Sequence, residues 1–272
     1  MKSHMKTAIK TFRATNHGMR FQAKLVTPQA APKEKEPSAP CGELYLYDAI
    51  GTDMFGGIGA KDVVNAIKEL EAAGAKALDI HINSPGGDVF EGTAIYSAIA
   101  RFKGTKTVYI DSLAASAASY IAMAGDKILM SFNAMMMIHN PWGVVIGNAF
   151  EMRKTADDLE KIGSTLVDTY VKRTGATAKD VQAMMDDETW MTADDAKALG
   201  FADAVIDPNE DDEEDEEASA SVAASLLGKF KNTPERLRPA VSELVKSMEN
   251  RILNLPKRAS PPTRSPGQPG QS

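Results

Sequence analysis

From Gly42 to about Pro208, short segments with the two-residue period of a β-strand alternate with segments of helical period. Glu43 to Ile50 alternates apolar and polar residues, as a half-buried strand does, and Ala60 to Ala73 carries Val63, Val64, Ile67 and Leu70 at helical spacing. Ala77 to Ile82 predicts a strand, Val89 to Phe102 a helix, Thr107 to Ile110 a strand and Ala115 to Ala124 a helix of small residues. Ile128 to Ile138 predicts an extended pair broken near Asn133, followed by a long charged helix from Ala149 to Arg173. Thr177 to Met185 and Thr192 to Leu199 predict short helices, the second N-capped by Thr192 and closed by Gly200, before a strand from Phe201 to Ile206. Repeated strand-helix-strand units of this kind imply an α/β fold with a mostly parallel sheet.

Composition divides the chain around that core. Residues 1–41 form an N-terminal segment whose end, Thr27 to Pro40, is a Pro/Lys/Glu stretch suited to a linker. The core occupies 42–208. Residues 209–217 form an acidic linker, 218–255 a helical extension and 256–272 a Pro/Gly/Ser/Arg tail expected to be disordered. Glu210 to Glu217 are eight consecutive acids, and taking them out of the net charge of -6 leaves +2. The body is therefore close to neutral, which argues against a nucleic-acid partner. One cysteine, Cys41, excludes an internal disulfide framework and a cysteine-rich metal site. The most apolar stretch, Val108 to Met130, contains Asp111, Asp126 and Lys127, so no membrane span is expected and a cytoplasmic setting is. In the extension, Leu237, Val241, Leu244, Met248, Ile252 and Leu255 approach a heptad seam that packs on the same domain or on a partner helix.

Four segments carry candidate chemistry. Ser84-Pro85-Gly86-Gly87 lies between a strand and a helix, where glycines expose backbone N–H groups to a cleft; a plain turn needs the same residues. Ser116, within Leu113 to Ser119, opens a helix after a strand and is placed as a nucleophile, although Ala/Ser runs also serve close helix packing. His139 ends the apolar run from Met135 and precedes Pro141, where it can act as a general base or be structural. Asp186-Asp187-Glu188 supplies an acid to orient that base, or a solvated helix end. His81, inside a strand, is expected to be structural. The histidines lack partners at metal-ligand spacing, so neither a metal nor another cofactor is expected. Taken in order along one α/β core, the four segments supply the parts of an acyl-transfer site.

Ile82 to Gly87, Ala114-Ala115-Ser116 and Met137 to Pro141 resemble the Clp protease proteolytic subunit family, and Met191 to Ala196 with Gly200 to Asp203 is similar to its closing motif. Asp111 to Ser119 and Glu188-Thr189-Trp190 look most like the phage-encoded branch, the head maturation proteases. The resemblance implies a crotonase-like fold of repeated strand-strand-helix units, a homo-oligomeric ring and serine endopeptidase activity on protein or peptide substrates, capsid and scaffold proteins among them. It assigns Ser116 as nucleophile, His139 as base and the N–H groups of Gly87 and Ala117 as oxyanion donors. The third member falls on Glu188, where degradative relatives carry Asp, and the adjacent Asp187 is the alternative. Gly57-Ile58-Gly59 lacks the features of a phosphate loop, so any ATP dependence would come from a separate ATPase partner. Competing readings are an ATPase-fed degradative subunit, a non-catalytic capsid scaffold, and an acyl-CoA enzyme on the crotonase fold. The Ser/His pair argues against the last.

Overall fold

The structure is a computed structural model that describes residues 8–12, 21–27, 39–52 and 57–207. Among the described residues, nine strands form one sheet: β1 (Ala8–Phe12), β2 (Phe21–Thr27), β3 (Cys41–Leu46), β4 (Ala77–Ser84), β5 (Thr105–Ala115), β6 (Lys127–Ser131), β7 (Met135–Ile138), β8 (Thr189–Thr192) and β9 (Ala204–Ile206). The path β1-β2-β3-β4-β5-β6-β9 is antiparallel at its first two steps and parallel from β3 onward. The helices are α1 (Ala60–Ala72), α2 (Val89–Arg101), α3 (Ala117–Ala122), α4 (Ala149–Thr174), α5 (Ala178–Asp186) and α6 (Ala193–Ala198). None of them is long and apolar enough to cross a membrane.

Strand alternation sets the two faces. Leu44, Leu46, Leu78, Ile80, Ile82, Val108 and Ile110 are fully buried in the main core with Val63, Ile67 and Leu70 of α1 and Ile95 and Ile99 of α2. Gly42 permits this packing, because a Cβ there would meet Leu70 and Leu78 side chains at 2.8 and 2.9 Å. The opposite face carries Tyr45, His81 and Tyr109 in neighbouring strands, stacked at ring separations of 4.6 and 4.8 Å. His81 Nδ1 lies 3.0 Å from Asp111 Oδ2, which also accepts the Tyr47 hydroxyl.

The α/β class is the one expected, and four details differ. β5 runs on to Ala115 rather than ending at Ile110. Its register against β4 shifts between the pairs Ile82↔Ile110 and Ser84↔Ala114, so extra β5 residues bulge out. The bulge lets one strand serve two neighbours, with Thr107 to Ile110 on β6 and Leu113 to Ala115 on β7. Helix α3 consequently begins at Ala117, two residues later than expected. Thr189–Thr192 forms β8, antiparallel to β7, where no strand was expected; four residues at a helix boundary are too few to show a period. Finally, β1 and β2 extend the sheet from within the N-terminal segment 1–41, with β2 paired to β3 from Phe21↔Leu46 to Val26↔Cys41. The acidic linker, helical extension and tail (209–272) lie outside the described residues.

Candidate active site

The forked strand β5 creates the site. Ala115 pairs with Met137 in the parallel β5–β7 ladder, and the Ser116 N–H donates to the Met137 carbonyl at 2.9 Å. The residues that follow the two strand ends, Ser116 and His139, therefore emerge side by side. Ser116 Oγ and His139 Nε2 are 2.7 Å apart, so with Nε2 unprotonated the hydroxyl donates to the ring. Ser116 holds φ 54° and ψ -126°, a left-handed conformation unusual for a residue with a side chain. Such backbone at a strand-to-helix junction lifts the side chain off the sheet and into a cleft.

The β8 strand brings in the acid. Thr189 pairs with Ile138, which places Glu188 opposite His139 at the ladder's end. Glu188 also has positive φ (50°), and Trp190 Nε1 donates to Glu188 Oε1 at 3.4 Å. Burial holds the His139 pKa below its ordinary value, and the Glu188 carboxylate pulls it back up. The neighbouring acids differ. Asp186 accepts from Asn140 Nδ2 at 2.7 Å and Gln182 Nε2 at 2.8 Å, bonds that hold its carboxyl below the usual range, and Asp187 is the C-cap of α5. The structure thus brings Ser116, His139 and Glu188 together and ties Asp186 to Asn140 and Gln182.

The glycine turn forms the facing wall. Gly86 has φ 85° and Gly87 φ 152°. A Cβ on Gly87 would fall 2.0 Å from the Ile50 carbonyl oxygen, so the position requires glycine. The turn is pinned by Ile50 N donating to Gly86 O at 2.8 Å, Asp88 N to Ile50 O at 2.9 Å, and Gly86 N to the buried Ser84 Oγ at 3.1 Å. Among the described residues, neither the Gly87 nor the Ala117 N–H donates to another group of the chain. Both residues line a cleft of about 660 Å³ together with Ser116 and His139. A cleft of that size, in which Thr52, Asp88, Glu91, Ser116 and His139 stand among apolar side chains, suits binding of a chain segment or small ligand.

Several cleft residues were not singled out from sequence. Leu159, Ile162, Leu166 and Tyr170 of α4 line it, as do Trp142 and the Ala49 to Thr52 segment. Their signal was available in part: Leu159, Ile162, Leu166 and Tyr170 recur at spacings of 3, 4 and 4, an apolar stripe on a helix otherwise dominated by charge. The contribution of Ile50 had no local signal, because it depends on contact with a turn 36 positions away.

The family model described as Clp protease matches residues 52–209, more than half of the chain. The chain belongs to the Clp protease family. Among solved structures, a mutant of ClpP1 from Listeria monocytogenes is similar at 25% sequence identity and a TM-score of 0.55, over 62% of this chain and 92% of that one. The Clp protease match spans every strand from β4 to β9 and each cleft residue named above except Ala49, Ile50 and Gly51. Serine peptidase chemistry and ring-shaped oligomers acting on protein substrates are the family's properties.

Proposed function

We propose that this protein is a serine endopeptidase in which Ser116 is the nucleophile, His139 the general base and Glu188 the acid that orients the imidazole. Ser116 Oγ attacks the carbonyl carbon of a peptide bond while its proton passes to His139 Nε2, and the carbonyl oxygen becomes an oxyanion held by the Gly87 and Ala117 N–H groups. Collapse expels the amine, which takes the proton back from His139. Water then attacks the acyl-enzyme by the same route in reverse, releasing the acid and free serine. Glu188, opposite His139 in the β7–β8 ladder, stabilises the imidazolium formed at each step. The observation that carries the reading is the 2.7 Å Ser116–His139 pair at a strained serine facing the cleft.

The biological role we assign is maturation of a phage prohead by cleavage of capsid and scaffold proteins in the host cytoplasm. The resemblance of Asp111 to Ser119 and Glu188 to Trp190 to that branch supports it. The active species is a ring of copies of this chain. Trp142, Val144, Ile146, Phe150 and Met152, exposed before and along the first turns of α4, are the surface we assign to contacts between copies. Fluorophosphonate labelling of the purified assembly, followed by intact-mass measurement and peptide mapping, tests the chemistry. One adduct on Ser116, absent from Ser116→Ala, is expected; an assembled protein that takes no adduct favours the non-catalytic scaffold. Co-expression with the cognate capsid and scaffold proteins tests the role: processing by wild type but not by Ser116→Ala is expected, and intact proteins beside an enzyme that labels would overturn the maturation role.

A further inference from the structure

Ser116 is held in its strained conformation from behind, through its carbonyl oxygen. That oxygen accepts from Ser119 N at 3.0 Å, Tyr120 N at 3.3 Å and Ser119 Oγ at 2.7 Å, the last being the shortest. Ser119 is fully buried, and its Oγ also lies 2.9 Å from the Tyr170 hydroxyl. The hydroxyl of Ser119 has one proton, which goes to the Ser116 carbonyl, so the Tyr170 O–H donates to Ser119 Oγ. Burial raises the Tyr170 pKa, which keeps that donor protonated. Tyr170 belongs to α4, whose Leu159, Ile162 and Leu166 line the same cleft. A short hydrogen-bonded chain thus runs from a cleft wall to the backbone of the serine.

We infer that Tyr170 and Ser119 are positioning residues that act as one relay, fixing the Ser116 carbonyl and thereby aiming Oγ at His139. The inference rests on Ser116 being the nucleophile. Neither side chain touches the Oγ–Nε2 pair; both act through the orientation of the Ser116 peptide. Loss of the relay lets the peptide relax from φ 54° toward commoner backbone, and the hydroxyl loses its alignment. The relay also ties the rate of acylation to the placement of α4.

The test measures fluorophosphonate inactivation of the assembled full-length protein, separating the saturating rate from the half-saturating concentration. Tyr170→Phe removes one buried oxygen and retains the ring against Tyr120 and Phe201. A fall in the saturating rate of about tenfold, with the half-saturating concentration within about twofold, is expected, corresponding to one lost buried hydrogen bond. Ser119→Ala should fall at least as far, and it carries the test if Tyr170→Phe does not fold. The double variant should be no slower than Ser119→Ala alone, because a relay broken at one link is already lost. Additive losses, or wild-type rates in both single variants, overturn the relay while leaving the nucleophile assignment standing. An assembled wild type that takes no adduct overturns both.

Discussion

One methyl group placed on Gly86 tests whether the cleft is built as tightly as the geometry requires. A Cβ there would lie 2.5 Å from the Ala115 carbonyl oxygen, 2.8 Å from Ala117 N and 2.8 Å from Ser116 Cβ. Ordinary contact begins at 3.4 Å, so the wall and the serine must separate by about 1 Å, and two of the three blocking atoms are backbone that no rotamer change can move. A displacement of about 1 Å at a reacting group costs on the order of 100-fold in rate. The φ of 85° adds a second cost, about 1–2 kcal/mol for holding an alanine in the left-handed region. In a domain of this size each kcal/mol lowers Tm by roughly 2–4 °C. Gly74→Ala is the control: φ is 98° there, yet nothing lies within 4 Å of the added Cβ, and the residue precedes β4 whereas Gly86 follows it. Both variants should lower Tm by several degrees in calorimetry. Only Gly86→Ala should slow fluorophosphonate labelling, by about 100-fold if the full displacement reaches the serine. Wild-type labelling of Gly86→Ala, or an equal loss in Gly74→Ala, would refute the reasoning.

Three further outcomes follow from the surroundings of His139 and His81. Burial lowers the His139 pKa below 6.5, and only the neutral ring can accept the serine proton; labelling should therefore persist at neutral pH and fall as pH drops through a midpoint below 6.5. Because Glu188 raises that pKa, Glu188→Gln should move the midpoint lower still, and an upward shift in a pH–rate profile would contradict the assignment. His81→Ala removes two ring stacks worth about 0.5–1.5 kcal/mol each, as well as the Asp111 contact. A Tm several degrees lower with unchanged labelling is expected; a labelling loss as large as that of Gly86→Ala would mean that His81 has more than a structural role.

Where a segment is long and strongly periodic, its structure was legible locally. Val63, Ile67 and Leu70 predicted α1, and α4 was expected over Ala149 to Arg173 and is observed over Ala149–Thr174. Thr192 forms the expected cap, accepting from Asp195 N while the Asp195 carboxylate accepts from Thr192 N. The failures share a cause. β8 is held by its pairing with β7, and the end of β5 by pairing with β7 and by the burial of Ala114 and Ala115, contacts that no window of neighbouring residues contains. The positive φ of Ser116 and Glu188 was equally invisible, since neither residue is the glycine that usually marks such backbone.

For the site, residue types and their order nominated Ser116, His139, the Ser84 to Gly87 turn and an acid within 186–188, because acyl transfer needs a nucleophile, a base and donors at strand ends; the resemblance to the Clp protease family then singled out Gly87, Ala117 and Glu188. The register Thr189↔Ile138, which sets Glu188 opposite His139, and the bonds of Asn140 and Gln182 to Asp186 are relations between segments that no local pattern contains. The α4 wall and its hydrogen bond to Ser119 likewise exist only once the helix lies over the cleft. The amino-acid order by itself determined the long, strongly periodic elements and nominated the side chains able to carry chemistry, since propensity, period and acid–base character are local properties. Tertiary structure alone decided which of those side chains meet and in what strained backbone, because a distance of 2.7 Å between residues 23 apart is set by the pairing of β5 with β7.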